Sequence, residues 1–430
     1  MTSRPLPARL YTALLICLVV GVLTFVIGLF VQPDRVWNAF HANWLFFAGL
    51  SSAATTIVAV QRITTARWSR EIIRFLEGFV AFLPVAFLFL LLTVFAGKHY
   101  VFPWGRGEAY PVPEKALYYG QVFFTVRVLL TFAIIAALSV WYVYTCVRLD
   151  VGMNPEWQGA GDRARFAGLR ARMRNGFRDE RREIHSTHSL QGTLAVVLVI
   201  AFAWGWSVLA WDLSMGLTLH FQSTLYSWWF FMGAWLSAVA MFALFTMWWR
   251  RYLGAYDLVK EVHFHDLGKL LFAFTAFWGY LTFGQYLVIW YGNMGEETHF
   301  MRLRLIAPWK WITVLSASMV FVLPFFGLLT RATKVILPWL TFFAASSAIG
   351  MWLMRYIEVY PSAYGLPLGA PFGLWEIGVL LLYVGVWGWC YATFMDAFPR
   401  VRATLLTSPY RDEVQVPVDP ETMEPLPAHE

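Results

Sequence analysis

Residues 265–292, HDLGKLLFAFTAFWGYLTFGQYLVIWYG, place Asp266 and Lys269 near their start and then run from Leu270 to Gly292 without another charge. A helix needs roughly 20 apolar residues to cross a bilayer, and this run supplies them. The whole chain repeats the pattern. Of its 430 residues 59% are hydrophobic, 18% aromatic and only 14% charged, whereas soluble domains are about 45–50% apolar. Most of it cannot face water. Comparable stretches lie near 10–31, 40–61, 75–96, 120–147, 188–211, 221–249, 265–291, 307–330, 335–354 and 372–396. The fold class is therefore an all-α polytopic membrane protein with about ten transmembrane helices. The first stretch, LYTALLICLVVGVLTFVIGLFV, is longer than a signal-peptide apolar region and is read as a span.

Lysine and arginine sort by side once the spans are drawn. They concentrate near the N-terminus, in the loops 62–74, 148–187 and 250–264, and in the tail, while the alternate loops carry few. By the positive-inside rule both termini are cytoplasmic. The formal charge of +7 then reports topology and attraction to anionic lipid, with no reason to invoke nucleic acid.

The loop 148–187 divides the spans after the fourth. Within it Phe166, Leu169, Met173 and Phe177 share one helical stripe among arginines, which predicts an amphipathic helix on the inner leaflet. Spans two and three resemble spans six and seven: with Phe75 set over Asp266, Glu77 and Gly78 fall over Gly268 and Lys269. Four spans separate the copies, so the repeats are parallel. The expected organisation is a flanking helix (1–34), a first four-helix bundle (35–150 and 188–212) interrupted by the basic linker (151–187), a second bundle (213–356), a last flanking helix (357–400) and an extended tail (401–430). The aromatic, proline-rich loop 97–119 suits docking against another subunit.

The nine histidines fall in loops or at expected span ends, and Cys17, Cys146 and Cys390 match no CxxC spacing. That pattern offers no haem ligands facing one another inside the membrane and no thiolate cluster. The remaining chemistry belongs to ionisable groups at or inside the spans: Glu77, Arg127, Asp212, Asp266, Lys269, Lys310 and Glu376. A charge inside a span costs about 2.5–3.5 kcal/mol or more and usually faces a partner, a bundle interior or a cavity. On α-helical spacing, Asp266, Lys269, Ala273, Tyr280, Gly284 and Tyr291 form one stripe beside His265, fit to line a proton path or a close helix contact. The plainer alternative is that Asp266 caps the helix and pairs with Lys269. On the other side Asp212, His220, Glu296, Glu297 and His299 could accept protons from a quinol head, or serve as ordinary interfacial polar residues.

Several motifs together resemble one family. LGKLLFAFTAFWGYLTFGQYLVIWYGNMGEE, FLPVAF, YYGQVFFTVR ending at Arg127, and the pattern Asp212, Met215, Leu217, His220, Ser223, Thr224 cover about residues 60–305 in order. They are similar to the NrfD-like membrane subunits of bacterial alternative complex III, above all the smaller, ActF-type subunit. The resemblance implies two four-helix bundles in a quinol:cytochrome c (or quinol:oxidase) complex of the bacterial inner membrane. It implies as partners a multihaem cytochrome c subunit, an iron–sulfur subunit and a second NrfD-like subunit. It also implies a chain without haem or iron–sulfur centre of its own that serves as a scaffold and a candidate proton route, with the better-supported quinol site in the larger NrfD-like subunit. A quinone, menaquinone or ubiquinone, is the candidate ligand, and whether it binds the smaller subunit is left open. Leu213, Thr218, Leu219 and Gly295 depart from the family pattern, and the acid usual near 218–219 is missing. Two other classes fit the residues: a secondary transporter built from parallel repeats, and a structural anchor whose charges pair locally.

Overall fold

The computed structural model describes residues 4–111, 113–154 and 166–414, and isolated positions of the tail up to 426. Among the described residues ten helices are long and apolar enough to span a membrane. They are α1 (Ala8–Val31), α2 (Pro33–Ile63), α3 (Ile73–Phe95), α4 (Gln121–Met153), α5 (Glu180–Leu217), α6 (Leu225–Leu253), α7 (Glu261–Gly292), α8 (Lys310–Gly327), α9 (Leu337–Tyr364) and α10 (Leu374–Ala397). An even number of spans returns the chain to its starting face, here called the terminal face. The other is the opposite face.

Local signals set the ends and irregularities. Pro33 opens α2 in the first turn, where its missing N–H costs nothing, and Gly254 ends α6 in the left-handed region (φ 65°). Pro84 and Pro324 cannot donate to the carbonyls four residues earlier. Just before them α3 tightens into a 3₁₀ segment, Gly78–Phe82, and α8 widens into a π turn, Ser318–Val322.

The core is organised around α2, whose apolar window is 94% buried, against 11% for α1. It packs on α3, α4 and α5 and also on α6, α9 and α10. Hydrocarbon gives no hydrophobic drive between helices, so close packing and interhelical hydrogen bonds hold them together. Indoles supply many of these. Trp44 donates to the Ala86 carbonyl (2.7 Å), Trp387 to Ser51 (3.0 Å) and Trp352 to Asn43 (2.9 Å). The first and last spans lie against one another, because Gly21 and Gly385 let the backbones approach where a Cβ would collide. In the second half α6 packs on α7 and α9, and α8 packs on α9.

Two local expectations, on the basic linker and on the tail, are corrected, and the loop 97–119 packs its own rings. The helix within the basic linker is short, Ala167–Arg174, and buries Arg170 and Met173 while Leu169 stays exposed; Phe177 packs on Gly152 at the end of α4. The stripe therefore does not lie on lipid. The rings of 97–119 turn inward: Phe102 stacks on Trp104, both meet Phe124, and Tyr110 stacks on Tyr119. The tail, expected to be extended, forms helical turns at Ala403–Thr407 and Arg411–Val414; Ser408 between them donates to Glu180 (2.7 Å).

Candidate functional site

The sequence-predicted residues divide into three places. The first is the terminal-face mouth of α3. Arg74 and Glu77 stand one helical turn apart with Nη1 and Oε2 at 2.7 Å, and both side chains are fully buried. Arg74 also pairs with Asp150 of α4, and Arg402, from the segment after α10, pairs with Glu77. Asp150 accepts from the Thr404 hydroxyl (2.7 Å) and amide (3.1 Å), and Cys146 accepts from Arg402 (2.7 Å). Two carboxylates thus face two guanidiniums. Burial opposes the charge of Arg402, yet Cys146, Glu77, Tyr142 and Asp150 together raise its pKa above the ordinary guanidinium value. Glu77 is a paired member of a neutralised cluster.

The second place is the mouth of α7. The helix begins at Glu261, so Asp266 lies in its second turn and does not cap it. Its pairing with Lys269 holds, at 2.6 Å, with the lysine side chain 55% exposed. The cap belongs to His263, a residue the sequence reading passed over: Nδ1 accepts from the Lys260 amide (3.1 Å) and Nε2 faces Glu71 (3.1 Å). An accepting Nδ1 leaves the proton on Nε2, so His263 is assigned as neutral and donating to Glu71. The expected stripe of Lys269, Ala273, Tyr280 and Tyr291 runs along the exposed side of α7, with His265 and Asp266 half-buried at its start. The buried side is formed by Leu267, Leu271, Thr275, Trp278 and Gln285. Within this chain the expected stripe therefore faces away from the neighbouring helices.

The third place is the opposite face of the first half. Arg127 grips Asp212 through two bonds of 2.8 Å, and the carboxylate is fully buried. The guanidinium lies over the rings of Tyr118 (3.7 Å) and Phe123 (4.5 Å), and donates to the Tyr118 carbonyl (3.2 Å). Burial, reinforced by Asp212, pushes the Tyr118 phenol up to about 12. The other expected members are not gathered here. His220 is exposed, while Lys115 takes the carbonyls on either side of it, Leu219 (2.6 Å) and Phe221 (3.0 Å). Glu297 is half-buried in the helix Gly295–Leu305, without a side-chain partner among the described residues. Lys310 is exposed beside Trp311, and Glu376 is held by Arg35 (2.6 Å) and Tyr360 (3.0 Å).

The sequence reading missed a fourth group. It ended span nine at 354, but α9 continues to Tyr364 and encloses Arg355 and Glu358, paired at 2.7 Å. Glu358 also accepts from Ser214 (3.1 Å), and Arg355 donates to the Phe230 carbonyl (3.0 Å). Arg304, from the connection between α7 and α8, donates to the carbonyls of Ile357 (3.1 Å) and Glu358 (2.9 Å) and lies 3.5 Å from the centre of the Phe300 ring. Burial lowers its pKa to about 10. The i,i+3 spacing of Arg355 and Glu358 was the available signal, since such a pair can cancel its charge inside one helix. Among the described residues no three His, Cys, Asp or Glu side chains converge as a metal site requires.

Comparison of the chain with protein-family models and with curated proteins finds no match.

Proposed function

We propose that the chain is an integral membrane subunit of a quinol:cytochrome c or quinol:oxidase electron-transfer complex of the alternative complex III type, in the bacterial inner membrane with both termini cytoplasmic. In this reading it scaffolds quinol oxidation and works beside multihaem cytochrome, iron–sulfur and second NrfD-like subunits, with no haem or iron–sulfur centre of its own. One observation carries the reading. Two of the separate motifs on which the resemblance rests, 118–127 and 212–224, come together in a single buried arrangement around Arg127 and Asp212. Within the second motif Met215 accepts from the Ser223 amide (3.3 Å). A chance likeness of apolar segments has no reason to join distant motif residues through a bidentate ion pair.

The paired state of Glu77, Asp212, Glu376 and the Arg355–Glu358 couple supports a scaffolding role for these particular groups, because each carboxylate is already engaged by an arginine. Mild-detergent isolation of the tagged chain from native membranes tests the reading. Cytochrome and iron–sulfur subunits should accompany it in constant ratio; purification alone, or with unrelated partners, would refute it.

A further inference from the structure

In the terminal-face half of the molecule a groove of about 380 Å³ runs between α1 and α6 and is floored by α10. Leu10 and Leu14 of α1, Leu244 and Trp248 of α6, and Val384 and Gly388 of α10 line it. The packing explains why it exists. α1 lies directly along α10, but large rings hold α6 away from α10: Phe245 meets Trp387 and Tyr391 with centroids 5.6 and 4.6 Å apart. A slot therefore stays open beside α1, and its edge is marked by the exposed ring of Trp248. From Val384 to Ala392 its lining covers about 12 Å of the α10 axis.

The two ends of the groove differ in chemistry. Inside, the polar groups of the wall are already paired: the Trp249 indole donates to the Tyr391 hydroxyl (2.7 Å), that hydroxyl donates to the Phe75 carbonyl (3.0 Å), and Trp387 donates to Ser51 (3.0 Å). The slot offers a polar head nothing to bind and suits hydrocarbon. At the mouth, residues 4–6 cross to the end of α6. Tyr252 donates its hydroxyl to the Pro5 carbonyl, Arg4 donates to the Tyr252 carbonyl (3.1 Å), and Leu6 is buried in the slot. The Arg4 guanidinium lies 4.8 Å from the centre of the Tyr252 ring and is exposed. On α6, Leu244, Trp248 and Arg251 recur at i, i+4 and i+7, one stripe that carries the exposed Arg251 to the same rim. Neither Arg4 nor Arg251 pairs with a carboxylate among the described residues. Asp396, at the end of α10, is already held by Arg400 (2.8 Å) and Tyr11 (2.6 Å).

We infer that this groove holds one acyl chain of an anionic phospholipid, whose phosphate is bound at the mouth by Arg4 and Arg251. An apolar slot beneath two cations without carboxylate partners matches the two parts of such a lipid. Charge complementarity selects it over a zwitterionic one, because Lys and Arg concentrate on this face and basic residues beside a membrane surface attract anionic head groups. Trp248 and Tyr252 stack at the rim, where amphipathic rings favour the head-group level. The inference gives the general attraction of a basic face to anionic lipid one address. It goes beyond the proposed function and does not depend on it, since it needs only the groove, its rim and a bilayer.

The test incubates the full chain in mild detergent with phosphatidylglycerol or phosphatidylcholine, each carrying a diazirine on one acyl chain, and maps the photolabelled peptides. Phosphatidylglycerol should label 6–14, 244–249 and 384–392 saturably, with phosphatidylcholine roughly tenfold weaker. Arg4→Gln and Arg251→Gln should each weaken phosphatidylglycerol about fivefold, the worth of one basic residue beside an anionic head group, and leave phosphatidylcholine unchanged. Arg4→Lys and Arg251→Lys, which keep the charge, should retain the preference. Leu244→Trp, which fills the slot, should abolish labelling of these segments by both lipids, while Leu15→Trp on the exposed side of α1 should leave it unchanged. Should Leu244→Trp fail to fold, the arginine variants decide alone. Equal labelling by the two lipids, undiminished phosphatidylglycerol labelling when Arg4→Gln and Arg251→Gln are combined, or competition by free glycerol phosphate as effective as by the lipid would each overturn the inference.

Discussion

The mouths of α3 and α7 occupy matching positions in the aligned halves of the chain, and they treat charge in opposite ways. At the mouth of α3, Arg74, Glu77 and Asp150 are buried, and Arg402 and Thr404 close over them from the segment that follows the last span. At the mouth of α7, Asp266 and Lys269 pair within one turn, with Lys269 largely exposed. The difference follows from neighbours. The α3 mouth is covered by α2, α4, α10 and the tail segment, whereas α7 has an open flank and its apolar window is only 28% buried. A charge fastens the fold only where surrounding helices remove it from water. Elsewhere an ion pair of similar geometry contributes little.

Substitutions can break this comparison. Arg74→Met leaves Glu77 and Asp150 buried with one cation fewer and should cost about 3–5 kcal/mol of stability, read as denaturant unfolding in detergent. A loss below about 1 kcal/mol would remove the distinction between the mouths. Arg402→Met isolates the part played by the closing segment and should cost about 1.5–3 kcal/mol, the worth of a hydrogen bond to a charged group. Lys269→Met at the other mouth should change stability by less than about 1 kcal/mol, and the small effect should vanish in high salt.

The smallest effect concerns how the tail is held. Glu413 accepts from His185 (2.7 Å) and Arg181 (2.9 Å), which keep its carboxyl below the usual range. A depressed folded-state pKa means that this contact is fully present above the ordinary glutamate pKa, about 4.3, and is lost as pH falls through the depressed value. Proteolysis of the 403–414 segment, each rate divided by that of an unstructured peptide cleaved by the same protease in the same tube, should accelerate in that acid window and stay flat between pH 6 and 8. Glu413→Gln should be cleaved at one rate throughout.

The number of spans was legible in the sequence because only unbroken apolar runs can cross a bilayer, and each run announces itself by length. The rotation of each span was not. In a membrane both the lipid-facing and the protein-facing sides are apolar, so α-helical spacing found the stripe through Tyr280 and Tyr291 without telling that it faces outward. The end of α9 was misread for a related reason. Arg355 looked like a boundary, and only its pairing with Glu358 and its contact with Phe230 allow the helix to continue. Glu77, Arg127 and Asp212 were found because single charges stand out in apolar sequence. Arg402, which pairs with Glu77, and Asp150, which pairs with Arg74, were missed because they lie in regions already rich in charge.

The central claim, that the chain belongs to a quinol-oxidising complex, is tested most directly by deleting it and measuring quinol-dependent reduction of cytochrome c in isolated membranes. The account predicts that this activity and the membrane-bound multihaem cytochrome are both lost and that the wild-type chain restores them. Unchanged quinol oxidation in membranes lacking the chain would contradict it.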